Sequence, residues 1–170
     1  KDDLLASGSS EVLMLAGVGD GSFGLEENHL YLNGGTSVAV GDFTGDGRND
    51  IATALSVSGY LLIYPGVADG GYGPPLSMPV GPYPRYPRVA DLNGDGRQDL
   101  LLVEGFDGSH LEPLLANGDG SFTPRSTLAL EGIPSSVAFG DFNRDGNLDL
   151  VMSISYLPAP TSPLRLYLGR

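Results

Sequence analysis

Three nine-residue segments carry side-chain oxygens at every second position. They are Asp42-Phe-Thr-Gly-Asp-Gly-Arg-Asn-Asp50, Asp91-Leu-Asn-Gly-Asp-Gly-Arg-Gln-Asp99 and Asp141-Phe-Asn-Arg-Asp-Gly-Asn-Leu-Asp149. Positions 1, 3, 5 and 9 supply Asp42, Thr44, Asp46 and Asp50 in the first, and Asp91, Asn93, Asp95 and Asp99 in the second. The third supplies Asp141, Asn143, Asp145 and Asp149. Position 7 (Arg48, Arg97, Asn147) can add a main-chain carbonyl. Gly47, Gly96 and Gly146 at position 6 allow the positive-φ turn that wraps a chain round an ion. Calcium takes about six to eight oxygens at ~2.3–2.6 Å. An oxygen-only set suits it better than zinc or copper. Three carboxylates within nine residues repel one another unless a cation lies between them.

A helical EF-hand is excluded. Its bidentate Glu at position 12 would fall on Thr53, Leu102 and Met152. An Asp/Gly hairpin turn would explain one such segment. Three in register point instead to three calcium sites, the first altered by Thr44 where the others have Asn. The loops hold nine of the 21 acids, so three bound Ca²⁺ would bring the net charge from −12 to −6. Binding should therefore tighten the fold.

The elements that position these loops also repeat. Loop starts are 49 and 50 residues apart. Each loop follows an apolar stretch (Ser37–Gly41, Arg88–Ala90, Ser136–Gly140) and precedes another (Ile51–Leu55, Leu100–Val103, Leu150–Ile154). A second unit, Val12-Leu-Met-Leu-Ala-Gly-Val-Gly-Asp-Gly-Ser-Phe23, returns at Leu61–Tyr72 and Glu112–Phe122, and begins again at Leu164. Asp3-Leu-Leu matches the end of an acidic loop, as in Asp99-Leu-Leu. The runs are short, β-branched and aromatic, and bounded by Gly, Pro, Asp and Asn, so they read as strands. No segment keeps an apolar 3.6 period over 11 residues, and helices should be few.

Each repeat then holds four strands, A and B flanking the acidic loop, C of the Leu61 type, and D near 28–33, 76–80 and 126–130. Four short antiparallel strands per ~40–50 residues is the pattern of a β-propeller blade. The expected fold is an all-β propeller segment of about three and a half blades. The boundaries are 1–33 (strands B–D), 34–81, 82–131 and 132–170 (strands A–C). A propeller must close its ring or protect its edges, so a second copy or the rest of a longer chain is expected to complete it.

Composition narrows the class. Gly (26) and Pro (13) are abundant, but 41% of residues are apolar, which argues against disorder. Net charge −12 opposes nucleic acid and anionic membranes. No apolar run approaches the ~20 residues of a membrane span. With no cysteine there are no disulfides, thiolate zinc sites or cysteine nucleophiles. A chain starting at Lys1 reads as a processed product or an excised piece.

The Asp-Phe-x-x-Asp-Gly-x-x-Asp-Leu loop after a Ser-Val-Ala-like strand, with the Asn-Gly-Asp-Gly-Ser-Phe turn, resembles the FG-GAP or VCBS-type repeat. The resemblance covers nearly the whole chain. It implies a seven-bladed propeller with calcium in the A–B loops. The family includes integrin α-chain propellers, a fungal seven-bladed calcium-binding lectin and many secreted bacterial proteins.

Other motifs read as structure. Gly19-Asp-Gly-Ser-Phe-Gly24 matches a GxGxxG pattern but recurs as a hairpin turn, without a βαβ context. Asp20, Asp69 and Asp119 there read as turn-bonding residues rather than secondary metal ligands. His29 lacks ligand spacing, and Glu26-Glu27 reads as a solvated pair. Glu104 and Glu112 are the one pair that could act as glycosidase carboxylates, if they stood ~5–9.5 Å apart.

Pro82-Tyr-Pro-Arg-Tyr-Pro-Arg88 replaces connections that are short and bland in the other repeats. Alternating strand direction puts Tyr60, Tyr83, Arg85, Tyr86, Phe106, His110 and Tyr156 at the end opposite the acidic loops. Tyr and Arg are common in binding hot spots, and aromatic rings stack on sugars. The alternative is a rigid Pro-rich linker with its tyrosines packed between blades. The resulting expectation is a secreted or extracellular, calcium-binding, non-enzymatic recognition module for a glycan or an extracellular protein. The runners-up are the propeller portion of a secreted polysaccharide-degrading enzyme, and an adhesion or scaffold propeller.

Overall fold

The computed structural model describes residues 4–7, 11–31, 35–105, 110–155 and 164–169. Among them there is no helix, so none is long and apolar enough to cross a membrane. The described residues form fifteen strands in four antiparallel sheets. Sheet 1 is β1 (Leu4–Ser7), β2 (Glu11–Gly17) and β3 (Phe23–Tyr31). Sheet 2 is β4 (Gly35–Gly41), β5 (Asp50–Leu55), β6 (Tyr60–Tyr64) and β7 (Leu76–Pro79). Sheet 3 is β8 (Arg85–Ala90), β9 (Asp99–Glu104), β10 (His110–Ala116), β11 (Phe122–Pro124) and β12 (Leu128–Ala129). Sheet 4 is β13 (Ile133–Gly140), β14 (Asp149–Ser155) and β15 (Leu164–Tyr167).

Each sheet is a meander in chain order, as hairpin connections require. In sheet 2 the outer strand β7 lies where the sequence suggests, but in sheets 1 and 3 the outer strand starts earlier. Phe23 pairs with Gly17, and Phe122 with Ala116, because the Asp-Gly turn returns the chain at once. In sheet 3 the outer strand is split into β11 and β12, both on β10. The first strand of sheets 2, 3 and 4 carries a register shift at the same place, between Gly35 and Val38, Arg85 and Arg88, and Pro134 and Ser136. A bulge adds twist where a strand must bend.

The sheets stack through two cores. Ala52, Leu61 and Ile63 of sheet 2 meet Leu100, Leu102 and Leu114 of sheet 3. The opposite face of sheet 3, with Leu101, Val103 and Leu111, meets Met152 and Ile154 of sheet 4. Sheet 3 is thus covered on both faces, and every residue of β9 is buried. That is why β9 reads as an unbroken apolar run instead of an alternating one. Each such side chain contributes about 1.5–3 kcal/mol by leaving water. Phe43, in the loop after β4, tilts against Phe122 with ring centroids 5.7 Å apart. The acidic loop of one sheet is thereby fixed to the Asp-Gly turn of the next.

Candidate metal-binding loops

The three acidic loops connect the first and second strands of sheets 2, 3 and 4 and follow nearly the same course. Asp42 Oδ1 accepts the N–H groups of Gly45 (2.7 Å) and Asp46 (3.1 Å), and its Oδ2 accepts that of Gly47 (2.8 Å). Asp91 does the same with Gly94, Asp95 and Gly96 at 2.8, 3.1 and 2.9 Å. Asp141 accepts the N–H groups of Asp145 (3.1 Å) and Gly146 (3.0 Å). Gly47, Gly96 and Gly146 have φ of 82°, 85° and 86°. The fourth position is left-handed too: Gly45 and Gly94 at 74°, and Arg144 at 65°.

The third and fifth positions join each other. Asn93 donates from Nδ2 to Asp95 Oδ2 (3.0 Å) while its Oδ1 accepts the Asp95 N–H (2.9 Å). Asn143 and Asp145 repeat this at 2.9 and 2.8 Å. Thr44 does not, and its buried hydroxyl has no hydrogen-bond partner. The fifth-position carboxylates accept the seventh-position N–H, from Arg48 (2.9 Å), Arg97 (2.9 Å) and Asn147 (2.8 Å). In the first two loops that arginine also folds its guanidinium onto the carboxylate of Asp46 or Asp95. The Arg97 and Asn147 N–H groups, then the Asn93 and Asn143 amides, hold the Asp95 and Asp145 carboxyls below the usual range.

The ninth-position aspartates are fully buried and tie three chain segments together. Asp50 accepts the N–H groups of Phe43 (2.8 Å), Thr44 (2.9 Å) and, across the sheet, Gly66 (2.8 Å). Asp99 accepts those of Leu92 (2.9 Å) and Ala116 (2.8 Å). Asp149 accepts those of Phe142 (2.9 Å), Asn143 (3.3 Å) and Gly169 (2.8 Å). Sequence spacing reads this residue as a ligand. In the structure its carboxylate locks the loop to the end of the third strand.

Donor chemistry fits a hard cation: every candidate atom is oxygen. Convergence is a separate matter. Among the described residues no three Asp, Glu or His side chains gather round a common point. In this arrangement the loops are closed by their own N–H groups and, twice, by an arginine. Successive loops face each other across clefts. One of about 460 Å³ is lined by Asp42, Gly45, Arg97 and Gly118, and one of about 370 Å³ by Asp91, Asn93, Asp141 and Asn147.

At the opposite end of the sheets lie Tyr60 at the start of β6, Tyr83 and Arg85 around the start of β8, and His110 at the start of β10. Tyr60, Tyr83 and Tyr86 are exposed. Tyr83 and Tyr86 have φ of 54° and 48°, a conformation non-glycine residues adopt at a cost. The Tyr86 N–H bonds Ser37 Oγ (2.9 Å), and Arg85 Nη2 bonds the Gly105 carbonyl (2.7 Å). Phe106 and Tyr156 lie outside the described residues.

Glu104 and Glu112 are both buried and are diagonal neighbours across the β9–β10 pair. Both carboxyls lie against the Gly81 backbone. Burial, then the Glu112 carboxyl beside it, raises the Glu104 pKa to about 8. The Gly81 N–H approaches Glu112 Oε2 at 3.3 Å, while Glu104 Oε1 has no hydrogen-bond partner. Asp20 and Asp119 bond the N–H and hydroxyl of Ser22 and Ser121, and Asp69 the Gly71 N–H, as turn residues do.

The repeat pattern and its four sheets agree with a comparison against protein families. The FG-GAP-like repeat matches at residues 1–53, 42–102 and 91–152. The chain belongs to the FG-GAP-like repeat family. No curated protein matches it. The first FG-GAP-like match ends in the strand beyond one acidic loop, and the second and third each begin at one acidic loop and end in the strand beyond the next. The family fixes the architecture of a propeller segment and leaves its ligand open.

Proposed function

We propose that this FG-GAP-like chain is a calcium-stabilised recognition module of a calcium-rich, extracellular compartment. The observation that supports it most is the threefold recurrence of one loop course with oxygen-only donors. Asp42, Thr44, Asp46, Asp50 and the Arg48 carbonyl would hold one ion. Asp91, Asn93, Asp95, Asp99 and the Arg97 carbonyl would hold the second, and Asp141, Asn143, Asp145, Asp149 and the Asn147 carbonyl the third. The ions would supply charge neutralisation and loop rigidity rather than chemistry. Isothermal titration of chelator-treated protein with Ca²⁺ tests this: heat saturating near three ions per chain is the expected result, and absence of heat refutes it.

The recognition surface in this reading is the opposite end of the sheets, where Tyr60, Tyr83, Arg85, Tyr86 and His110 lie at or near the strand starts. Its chemistry suits a carbohydrate, since exposed tyrosines present flat apolar faces beside cationic donors. The module is non-enzymatic in this reading. A glycan array with multivalently displayed protein, in calcium and in chelator, tests it. Binding lost in Tyr83→Ala and Tyr86→Ala supports the assignment, and binding kept in both removes it.

A further inference from the structure

We propose that Glu104 and Glu112 form a proton-operated latch on the 81–88 segment, the connection from sheet 2 to sheet 3 that carries Tyr83 and Tyr86. The segment is held while the pair keeps its proton and loosens when the proton is lost.

Both acids point into the interface between sheets 2 and 3. Leu100, Leu102 and Glu104 alternate along β9 on the face that packs on sheet 2, as Glu112 and Leu114 do along β10. Glu104 is 4% exposed and Glu112 8%. What they meet there is the Gly81 backbone, whose N–H approaches Glu112 Oε2. A Cβ on Gly81 would collide with both oxygens of the Glu104 carboxyl. Glu104 Oε1 is buried and has no hydrogen-bond partner. Two carboxyls this deep cannot both be charged without a cation between them.

The titratable groups around the pair do not supply one. His110 stands opposite Glu104 in register and is exposed. Arg85, on β8, donates from Nη2 to the Gly105 carbonyl. Sheet 2 brings the exposed phenol of Tyr60 on β6, while Asp50 stands at the far end of β5. Arg125 lines the cleft toward sheet 4, and Glu131 accepts from Arg165 of that sheet. Among the described residues β4 and β7 carry no charged side chain.

The residue after Glu104 pins the segment. The Gly105 N–H donates to the Pro82 carbonyl at 2.8 Å, and its own carbonyl accepts from Arg85 at 2.7 Å. Tyr83 and Tyr86, at φ of 54° and 48°, are held between these bonds and the one from the Tyr86 N–H to Ser37 Oγ. Such conformations persist only where the surroundings impose them. A second charge beside Gly81 would draw in water and displace that backbone, and the two tyrosines would relax once Gly105 let go. Burial holds the Glu104 carboxyl up to about 8, whereas an exposed one titrates near 4.5. Opening therefore releases a proton between those values, so the latch weakens as pH rises through that window and levels off above it. The consequence for recognition rests on the reading above: Tyr83 and Tyr86 would be presented rigidly in acid and loosely at neutral pH. The latch itself is measured without ligand, so a silent glycan array does not bear on it.

Hydrogen exchange on the whole chain from pH 5 to 9, corrected for the intrinsic pH dependence of amide exchange, tests it. Protection of the Gly81, Tyr86 and Gly105 amides should fall by up to about tenfold per pH unit to pH 8, one proton leaving on each opening. The amides in the middle of β9 should stay protected throughout. Glu104→Gln should keep all three amides protected at every pH, and Gly81→Ala should expose them at every pH. Glu112→Gln, which removes the neighbouring charge, should move the upper limit of the window to lower pH and serves if Glu104→Gln does not fold, as circular dichroism will show. Protection of these amides that ignores pH in the unaltered chain overturns the proposal. A pH dependence that survives in Glu104→Gln and vanishes in His110→Asn overturns it too, and assigns the transition to the histidine.

Discussion

Aspartates at the first and ninth loop positions look alike in sequence but differ in the folded chain. Asp42, Asp91 and Asp141 are exposed or nearly so and gather the N–H groups of their own loop. Asp50, Asp99 and Asp149 are buried and bond across the sheet. Asp99→Ala would leave the Leu92 and Ala116 N–H groups unsatisfied, at about 1–3 kcal/mol each. The urea midpoint of that variant should fall accordingly even with chelator present, where metal plays no part. Glu104 carries a pH dependence. Its folded pKa, about 8, lies above the ordinary glutamate value, so between pH 4.5 and 8 the folded chain holds a proton that the unfolded chain has released. Stability from this group should therefore fall as pH rises through that window and level off above it. Glu104→Gln should flatten the slope in urea melts taken from pH 5 to 9, and an unchanged slope would contradict the assignment. The recurrence of the acidic loops and the bonding of the turn aspartates were legible from residue type and spacing. The proximity of Glu104 and Glu112 was not, because they are eight residues apart and come together only through the β9–β10 register.

Elements followed the sequence where local chemistry rules. The hairpin turns, the strands flanking each loop and the order of strands within each sheet were readable from Gly, Asp and apolar runs. The split of the outer strand into β11 and β12 was not. Neither were the matching bulges in β4, β8 and β13, since they answer to twist within the sheet and not to propensity. One loop element does carry a local conflict. Arg144 takes the left-handed conformation that Gly45 and Gly94 take in the other loops. A side chain there costs about 1–2 kcal/mol, part of which a glycine returns through the unfolded state. Arg144→Gly should therefore stabilise the chain by roughly 0.5–1 kcal/mol in equilibrium unfolding. The reverse change, Gly94→Arg, should destabilise it.

At the scale of the whole molecule, charge and stacking dominate. A chain of net charge −12 repels itself, and the proposed ions would remove half of that charge. Calcium should raise the melting temperature by several degrees and chelator reverse it, the shift growing with ion concentration as linkage requires. A melting temperature indifferent to both would contradict the calcium reading. The repeat, the order of strands within each sheet and the all-β class were determined by the sequence alone, because turns, strand alternation and a fixed period are local and recur. Which faces of those strands are buried was decided only by stacking. Leu61, Leu111 and Leu164 share one repeat position, yet the first two are buried and the third exposed. The difference is whether another sheet lies beyond. Burial depends on neighbours distant in the chain, and a residue's own type carries no record of whether that neighbour is there.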